Sequence, residues 1–207
     1  MLESATERPD AATPGWEPAV VVGLGNPGPE YAGHRHNVGA MVVAGLAASG
    51  GIKLKRGSGK LAHVVSIATR MAEHRVVLAT LTTYMNDSGQ GVRPLLDYYQ
   101  ADPGSLIVLH DELDLAFGTV RIKQGGGNNG HNGLRSITRA VGTPDYVRVR
   151  IGIGRPVGRQ APADFVLREF TATERAELPA ILDDAAGAVT MIIAGGVLAA
   201  QNELHRP

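Results

Sequence analysis

Short apolar runs alternate along the chain with stretches whose apolar residues recur at helical spacing. The runs at 19–24, 62–69, 74–80, 105–110, 118–123 and 146–153 predict β-strands. Helical spacing predicts helices over 36–49, 87–100, 131–141 and 173–200. "HVVSIAT" and "HRVVLAT", separated by a short polar stretch, read as the two arms of a hairpin. Asp87, three residues before Gln90, resembles a capping box for the second helix, and Pro94 should kink that helix or mark a late start. In the last helix Leu178, Ile181, Leu182, Ala185, Val189, Ile192 and Ile193 form a stripe that should pack on the body. The stretch 154–163 reads as a loop. Strands mixed with helices give one α/β layered domain with a mixed sheet.

Composition narrows the picture. At 207 residues one domain is expected. Residues 1–17 read as a mobile N-terminal extension, with Trp16 placed to pack onto the domain of residues 18–207. That extension has acidic residues and no apolar core of a secretory signal. No continuous run of about 18 apolar residues occurs, so no membrane span is expected. The absence of cysteine excludes disulfides and cysteine catalysis and fits a reducing, cytoplasmic setting. Net charge is zero, yet residues 118–159 hold eight cations (Arg121, Lys123, Arg135, Arg139, Arg148, Arg150, Arg155 and Arg159) against Asp145 alone. One-sided charge of that kind suggests a phosphate-rich partner.

The first strand leads into Gly23-x-Gly25-x-x-Gly28, the spacing of a dinucleotide-binding turn. Pro27, Pro29 and Gly33 interrupt the segment where the helix of such a turn would run, and "MVVAGLAASG" lacks the acidic residue expected about 20 positions on. The glycines read instead as an exposed backbone loop that brings Asn26 to the carboxyl end of a strand.

Four segments carry candidate chemistry. His36 stands at a helix start, where the dipole favours the neutral imidazole that accepts a proton. Asn86 lies at a strand-to-helix turn of the same kind as Asn26, and two carboxamides donate and accept without titrating. "HDELD" places His110, Asp111, Glu112 and Asp114 after a strand; no metal-ligand spacing is present, and Asp111 is suited to orient a catalytic histidine. "GGGNNGHNG" is a backbone-rich loop ending at a helix, suited to an anion or ester and lacking the ending of a P-loop.

The set "VGLGNPGPEYAGHRHNVG", "TTYMNDSG", "HDELDL", "GGGNNGHNGLRS", "RVRIGIGRP" and "GGVLAAQNELH" resembles the bacterial peptidyl-tRNA hydrolase family in order and spacing. The resemblance implies a single globular α/β domain with a twisted mixed sheet flanked by helices. It implies hydrolysis of the ester between a peptide and the 3′ end of tRNA, by a monomer with no metal or organic cofactor. Its implied catalytic residues are His36 as base, Asp111 as the group stabilising it, and Asn26 as the discriminator of N-blocked substrates. Tyr31, Tyr84, Asn86 and Asn132 resemble tRNA-end or peptide contacts, Met85 and His131 pocket-lining positions, and Lys123 with Arg150 a pair gripping tRNA phosphate. Leu81, Asn128, Asn129 and "LAFG" depart from the family pattern and bear on loop shape. Three rival readings are a non-catalytic RNA-binding relative, a metal-dependent hydrolase using His110, Asp111 and His131, and a small-substrate esterase, the last lacking a Gly-x-Ser-x-Gly elbow.

Overall fold

The structure, a computed structural model, describes residues 17–156 and 158–205. The extension expected at 1–17 falls outside the described residues except for Glu17, whose carboxylate lies 3.1 Å from His74 Nδ1. Seven strands form one mixed sheet: β1 (Ala19–Gly23), β2 (Lys55–Arg56), β3 (Val64–Met71), β4 (His74–Leu81), β5 (Leu106–Glu112), β6 (Val120–Gln124) and β7 (Val147–Gly152). Their spatial order is β2-β3-β4-β1-β5-β7-β6. β1 runs parallel to β4 and β5, and β5 parallel to β7; the remaining pairs are antiparallel.

Alternation along the buried strands divides the core between the two sheet faces. Val21, Leu78, Ile107, Leu109 and Val149 point to one face, covered by α1 (Val38–Ser49) and α5 (Ala172–Leu204). Val20, Val22, Val77, Ala79 and Val108 point to the other, covered by α2 (Gly89–Tyr99) and α3 (Asn132–Val141). The stripe on α5 packs as its spacing predicts, with Ile181, Ala185, Val189, Ile192 and Ile193 buried and Leu178 and Leu182 at the margin. By length and composition alone α5 could cross a membrane. Strict runs of apolar residues miss that property, and the core contact of the stripe is what accounts for it here. Its axis breaks at Gly196, and beyond the break Gln201 Nε2 donates to the Ile122 carbonyl at 3.1 Å while His205 Nε2 accepts from the Ile122 N–H at 3.0 Å.

Several local expectations change. The hairpin of β3 and β4 forms, turning through Ala72 and Glu73, both with positive φ. Asp87 does not cap α2: that helix begins after Ser88 with no side-chain cap, and the Gln90 amide donates to Asp87 instead. Pro94 sits within α2 without ending it. The capping box that does form joins Thr171 and Glu174 at the start of α5. The two-residue β2 is too short to show alternation. The stretch read as a loop at 154–163 gives way at its end to a short helix, α4 (Pro162–Val166), whose start carries Pro at its first position.

Candidate active site

The parallel strands end together, and the polar residues after them converge there. β1 passes into the loop at 24–28, β4 into the turn carrying Tyr84 to Asn86, and β5 into its own last three residues. The predicted strand stops at His110, with Asp111 and Glu112 beyond it; all three are the strand's final residues, and all are buried. Ionisable groups at the buried end of a central strand require partners, and alternation sends Asp111 toward α1 while His110 and Glu112 face the α2–α3 side.

The glycines of the first loop allow close approach. A Cβ on Gly39 would overlap the Leu109 carbonyl, and one on Gly23 would overlap Gly39, so α1 starts directly against the ends of β1 and β5. Gly28 has φ of 113° and turns the chain into a 3₁₀ turn at Pro29–Tyr31, not into a nucleotide-binding helix.

A second 3₁₀ turn, Arg35–Asn37, precedes α1. Its His36 Nδ1 lies 2.8 Å from Asp111 Oδ1. The same oxygen lies 3.1 Å from His131 Nε2, while His131 Nδ1 accepts from the Leu134 N–H at 3.3 Å. His131 therefore carries its proton on Nε2 and donates it to Asp111. With Asp111 ionised, His36 donates through Nδ1, and Nε2 is the ring nitrogen that Asp111 does not engage. Burial alone would push the Asp111 carboxyl up; the two imidazoles outweigh it and hold the group well below the usual carboxylate range. His110 donates through Nδ1 to the Asp111 carbonyl at 2.7 Å, and its Nε2 has no partner. Burial, reinforced by His131, drives its pKa down to about 3, so this ring is neutral.

Asn26 Oδ1 accepts from the Met85 N–H at 2.8 Å. Its carbonyl end is thus engaged, which leaves the amide N–H groups as its remaining polar atoms, and the residue lines the cavity. A cavity of about 690 Å³ opens above these groups. Its lining includes Asn26, Tyr31, His36, Tyr84, Met85, Asn86, Asp111, His131 and Asn132. Nine of the expected site residues thus come together in one cleft.

Lys123 and Arg150 do not join that cavity. They border a separate small recess with His110, Glu112 and Arg148. Arg150 Nε donates to Glu112 at 2.9 Å, so its charge is partly answered within the fold. The basic segment is also less available than its sequence suggests. Arg148 is buried, with its guanidinium donating to the carbonyls of Gly126 and Gly127, and Arg155 pairs with Asp114.

Sequence reasoning missed the far wall of the cavity, formed by Pro162, Ala163, Val166 and Leu167 of α4 and the residue after it. The Pro-x-Asp start of that helix was the available signal. It also passed over Asn37, whose carboxamide pairs with both backbone groups of Asn26. His36, Asp111 and His131 present ligand-type atoms within 4.8 Å of one another, yet those atoms face each other in hydrogen bonds.

Residues 20–207 match the family described as Peptidyl-tRNA hydrolase. The chain belongs to the peptidyl-tRNA hydrolase family. It is 56% identical over 188 residues to the peptidyl-tRNA hydrolase of Frankia casuarinae, covering 91% of this chain and 94% of that one. With the peptidyl-tRNA hydrolase of Mycobacterium avium it shares 53% over 189 residues, 91% of this chain and 98% of the other. Its structure is similar to the crystal structure of peptidyl-tRNA hydrolase from Acinetobacter baumannii, with a TM-score of 0.83 and 40% identity over 90% of this chain and 93% of that one. The mixed α/β sheet is the fold of this peptidyl-tRNA hydrolase neighbour, and the family's activity is peptidyl-tRNA hydrolysis. No finding favours a non-catalytic relative.

Proposed function

We propose that the cleft hydrolyses the ester between a peptide, or an N-blocked amino acid, and the 3′ end of tRNA, with His36 as general base and no metal. The observation that supports this reading is the pair of hydrogen bonds on Asp111 Oδ1. His131 has its Nδ1 engaged by Leu134 and its Nε2 proton on Asp111, so it has no lone pair to offer a water. His36 alone of the pair keeps a basic nitrogen toward the cavity. It takes a proton from a water as that water attacks the ester carbonyl. Asp111 fixes the ring and offsets the charge that develops on it, as a buried carboxylate does in a catalytic triad. Asn26, oriented by Met85, donates to the oxygen that becomes negative. His36 then returns the proton to the ribose oxygen that leaves.

The same carboxamide explains the substrate choice. A peptide presents a neutral N–H and carbonyl to the asparagines, whereas a free α-ammonium would sit desolvated among groups built for neutral partners. Lys123, with Arg150, contacts tRNA phosphate outside the cleft. The enzyme acts as a cytoplasmic monomer on tRNA released during translation. Metal-free chemistry fits the site because His36 and His131 each turn a ring nitrogen to the same Asp111 oxygen in a hydrogen bond.

The test compares hydrolysis of N-blocked and free aminoacyl-tRNA by the wild type and by His36→Ala, with chelator in a parallel arm. Turnover of the blocked substrate alone, insensitive to chelator and abolished by the substitution, is expected. Equal turnover of both substrates would remove the Asn26 assignment, and an active His36→Ala would remove the base.

A further inference from the structure

Arg35 precedes His36 in the same 3₁₀ turn, but its side chain runs away from Asp111 and is buried at 4% exposure. Its Nη1 donates to the Glu169 carbonyl at 2.7 Å and to the Arg168 carbonyl at 3.3 Å. Its Nη2 pairs with Glu174 at 2.6 Å. The guanidinium carbon stands 4.3 Å from the ring centroid of Phe165 and 5.4 Å from that of Phe170. Its backbone N–H adds a bond to Arg168 at 3.0 Å, and His34 bridges Glu169. Every one of these partners lies in α4, in the chain leaving it, or in the first turn of α5.

We propose that Arg35 is a positioning residue for the hydrolysis, setting the distance between the turn that carries His36 and the α4 wall of the cavity. The proposal rests on the reading of His36 as the base. Its logic is geometric. α4 has five residues, and its Phe165 stacks on Arg35 while its neighbours Val166 and Leu167 line the cavity. The wall facing the substrate and the base therefore share one guanidinium as their common reference. Glu174 is itself held, since its Oε2 also accepts from the Thr171 N–H at 2.6 Å in the capping box of α5. The far anchor is thus fixed to the longest helix, and the near anchor is one peptide bond from the base.

An arginine is required for this arrangement. Its planar fork meets two carbonyls on one side and a carboxylate on the other while its face stacks on an aromatic ring. A lysine keeps the charge but reaches only part of that set. Arg35 meets the larger core cluster only at its margin, through Phe165 and Phe170, while the buried strand residues that build the sheet lie away from it. Loosening the clamp should then shift the reacting groups without unfolding the protein, and misplacement by about 1 Å costs on the order of 10²-fold in rate.

The test uses Arg35→Lys, and Phe165→Leu, which removes the stack but leaves the ion pair. Both are assayed on N-blocked aminoacyl-tRNA beside the wild type and His36→Ala. Arg35→Lys should keep the wild-type far-UV circular dichroism and its affinity for deacylated tRNA. Its kcat should fall about 10- to 10²-fold, with KM changed no more than about threefold. The acid limb of its kcat/KM profile should move, because the His36–Asp111 geometry has changed. Phe165→Leu should show the same split at smaller size. A folded Arg35→Lys with wild-type kcat and pH profile overturns the proposal, as does a loss that tracks only the folded fraction. If Arg35→Lys does not fold, a wild-type kcat and profile in Phe165→Leu overturns it equally. Full activity in His36→Ala would remove both readings, whereas an inactive His36→Ala beside a fully active Arg35→Lys removes this one alone.

Discussion

Asn37 pairs with the backbone of Asn26 as a neighbouring strand would: its Oδ1 accepts from the Asn26 N–H and its Nδ2 donates to the Asn26 carbonyl, both at 2.9 Å. The loop that presents Asn26 to the cavity is therefore latched to the residue after His36. Asn37→Asp keeps the size and reverses one bond, setting a carboxylate oxygen against a carbonyl. A cost of about 1–3 kcal/mol in stability is expected, with a fall in kcat as Asn26 shifts. Denaturant unfolding measures the first and steady-state hydrolysis the second; an unchanged midpoint would show that the latch has no energetic role.

Asp111→Asn leaves a carbonyl that still accepts from His36 but removes the charge opposite the imidazolium. On the proposed mechanism kcat should drop about 10²- to 10⁴-fold while tRNA affinity holds. Single-turnover hydrolysis under enzyme excess reads the chemical step directly. Activity within a few-fold of wild type would show that His36 works without its carboxylate.

Lys123 and Arg150 should separate in their effects. Lys123→Ala should weaken tRNA binding and reduce the slope of log affinity against log salt by about 0.7–0.9, the signature of one lost phosphate contact. Arg150→Ala should do the same and also lower stability by about 1–3 kcal/mol, because Glu112 loses its cation while keeping its bonds from Asp114 and Asn129. Binding titrations across a salt series, with thermal melts, check both. A salt slope unmoved by Lys123→Ala would place the phosphates elsewhere.

The buried His110 ring gives stability a pH dependence whose sign is fixed. Its pKa is about 3 in the folded chain, against an ordinary value of 6.5. Above pH 6.5 the ring is neutral in both states and its contribution is complete; as pH falls below 6.5 the unfolded chain gains the proton first, and stability is lost progressively toward pH 3. The full span is worth roughly 4–5 kcal/mol. Asp111, held well below the usual carboxylate range, stays charged in the folded chain through that window, and His205, also shifted down, adds in the same direction. His110→Leu should flatten the dependence of unfolding free energy between about pH 6.5 and 4. The same slope in variant and wild type would assign the effect to another group.

What could be read beforehand depended on whether a signal was local. The central strands were legible because Val20 to Val22 and Leu106 to Leu109 are apolar throughout, as buried parallel strands are. The end of β5 was misplaced because Asp111 and Glu112 look like loop residues until their partners are seen. Those partners come from residues 36, 131 and 150, far apart in sequence. Nine cavity residues followed from motifs whose order matched a family. Arg35 and α4 did not, because an arginine beside a candidate base reads as surface charge, and a five-residue helix shows too little periodicity to register.

The fastening of Ile122 by Gln201 and His205 has a consequence for the outer rims of the sheet. An unpaired rim is a template on which another extended chain can assemble, and that is how many proteins begin to form fibrils. On the β6 rim the Ile122 N–H and carbonyl are already taken by His205, just past α5, and by Gln201 within it. The outermost strand on the opposite side is only two residues long, Lys55 and Arg56, and pairs with β3 at Ser66 and Val65 alone; its like charges repel a second copy there. The β6 margin is thus a poor starting point for self-stacking at Ile122.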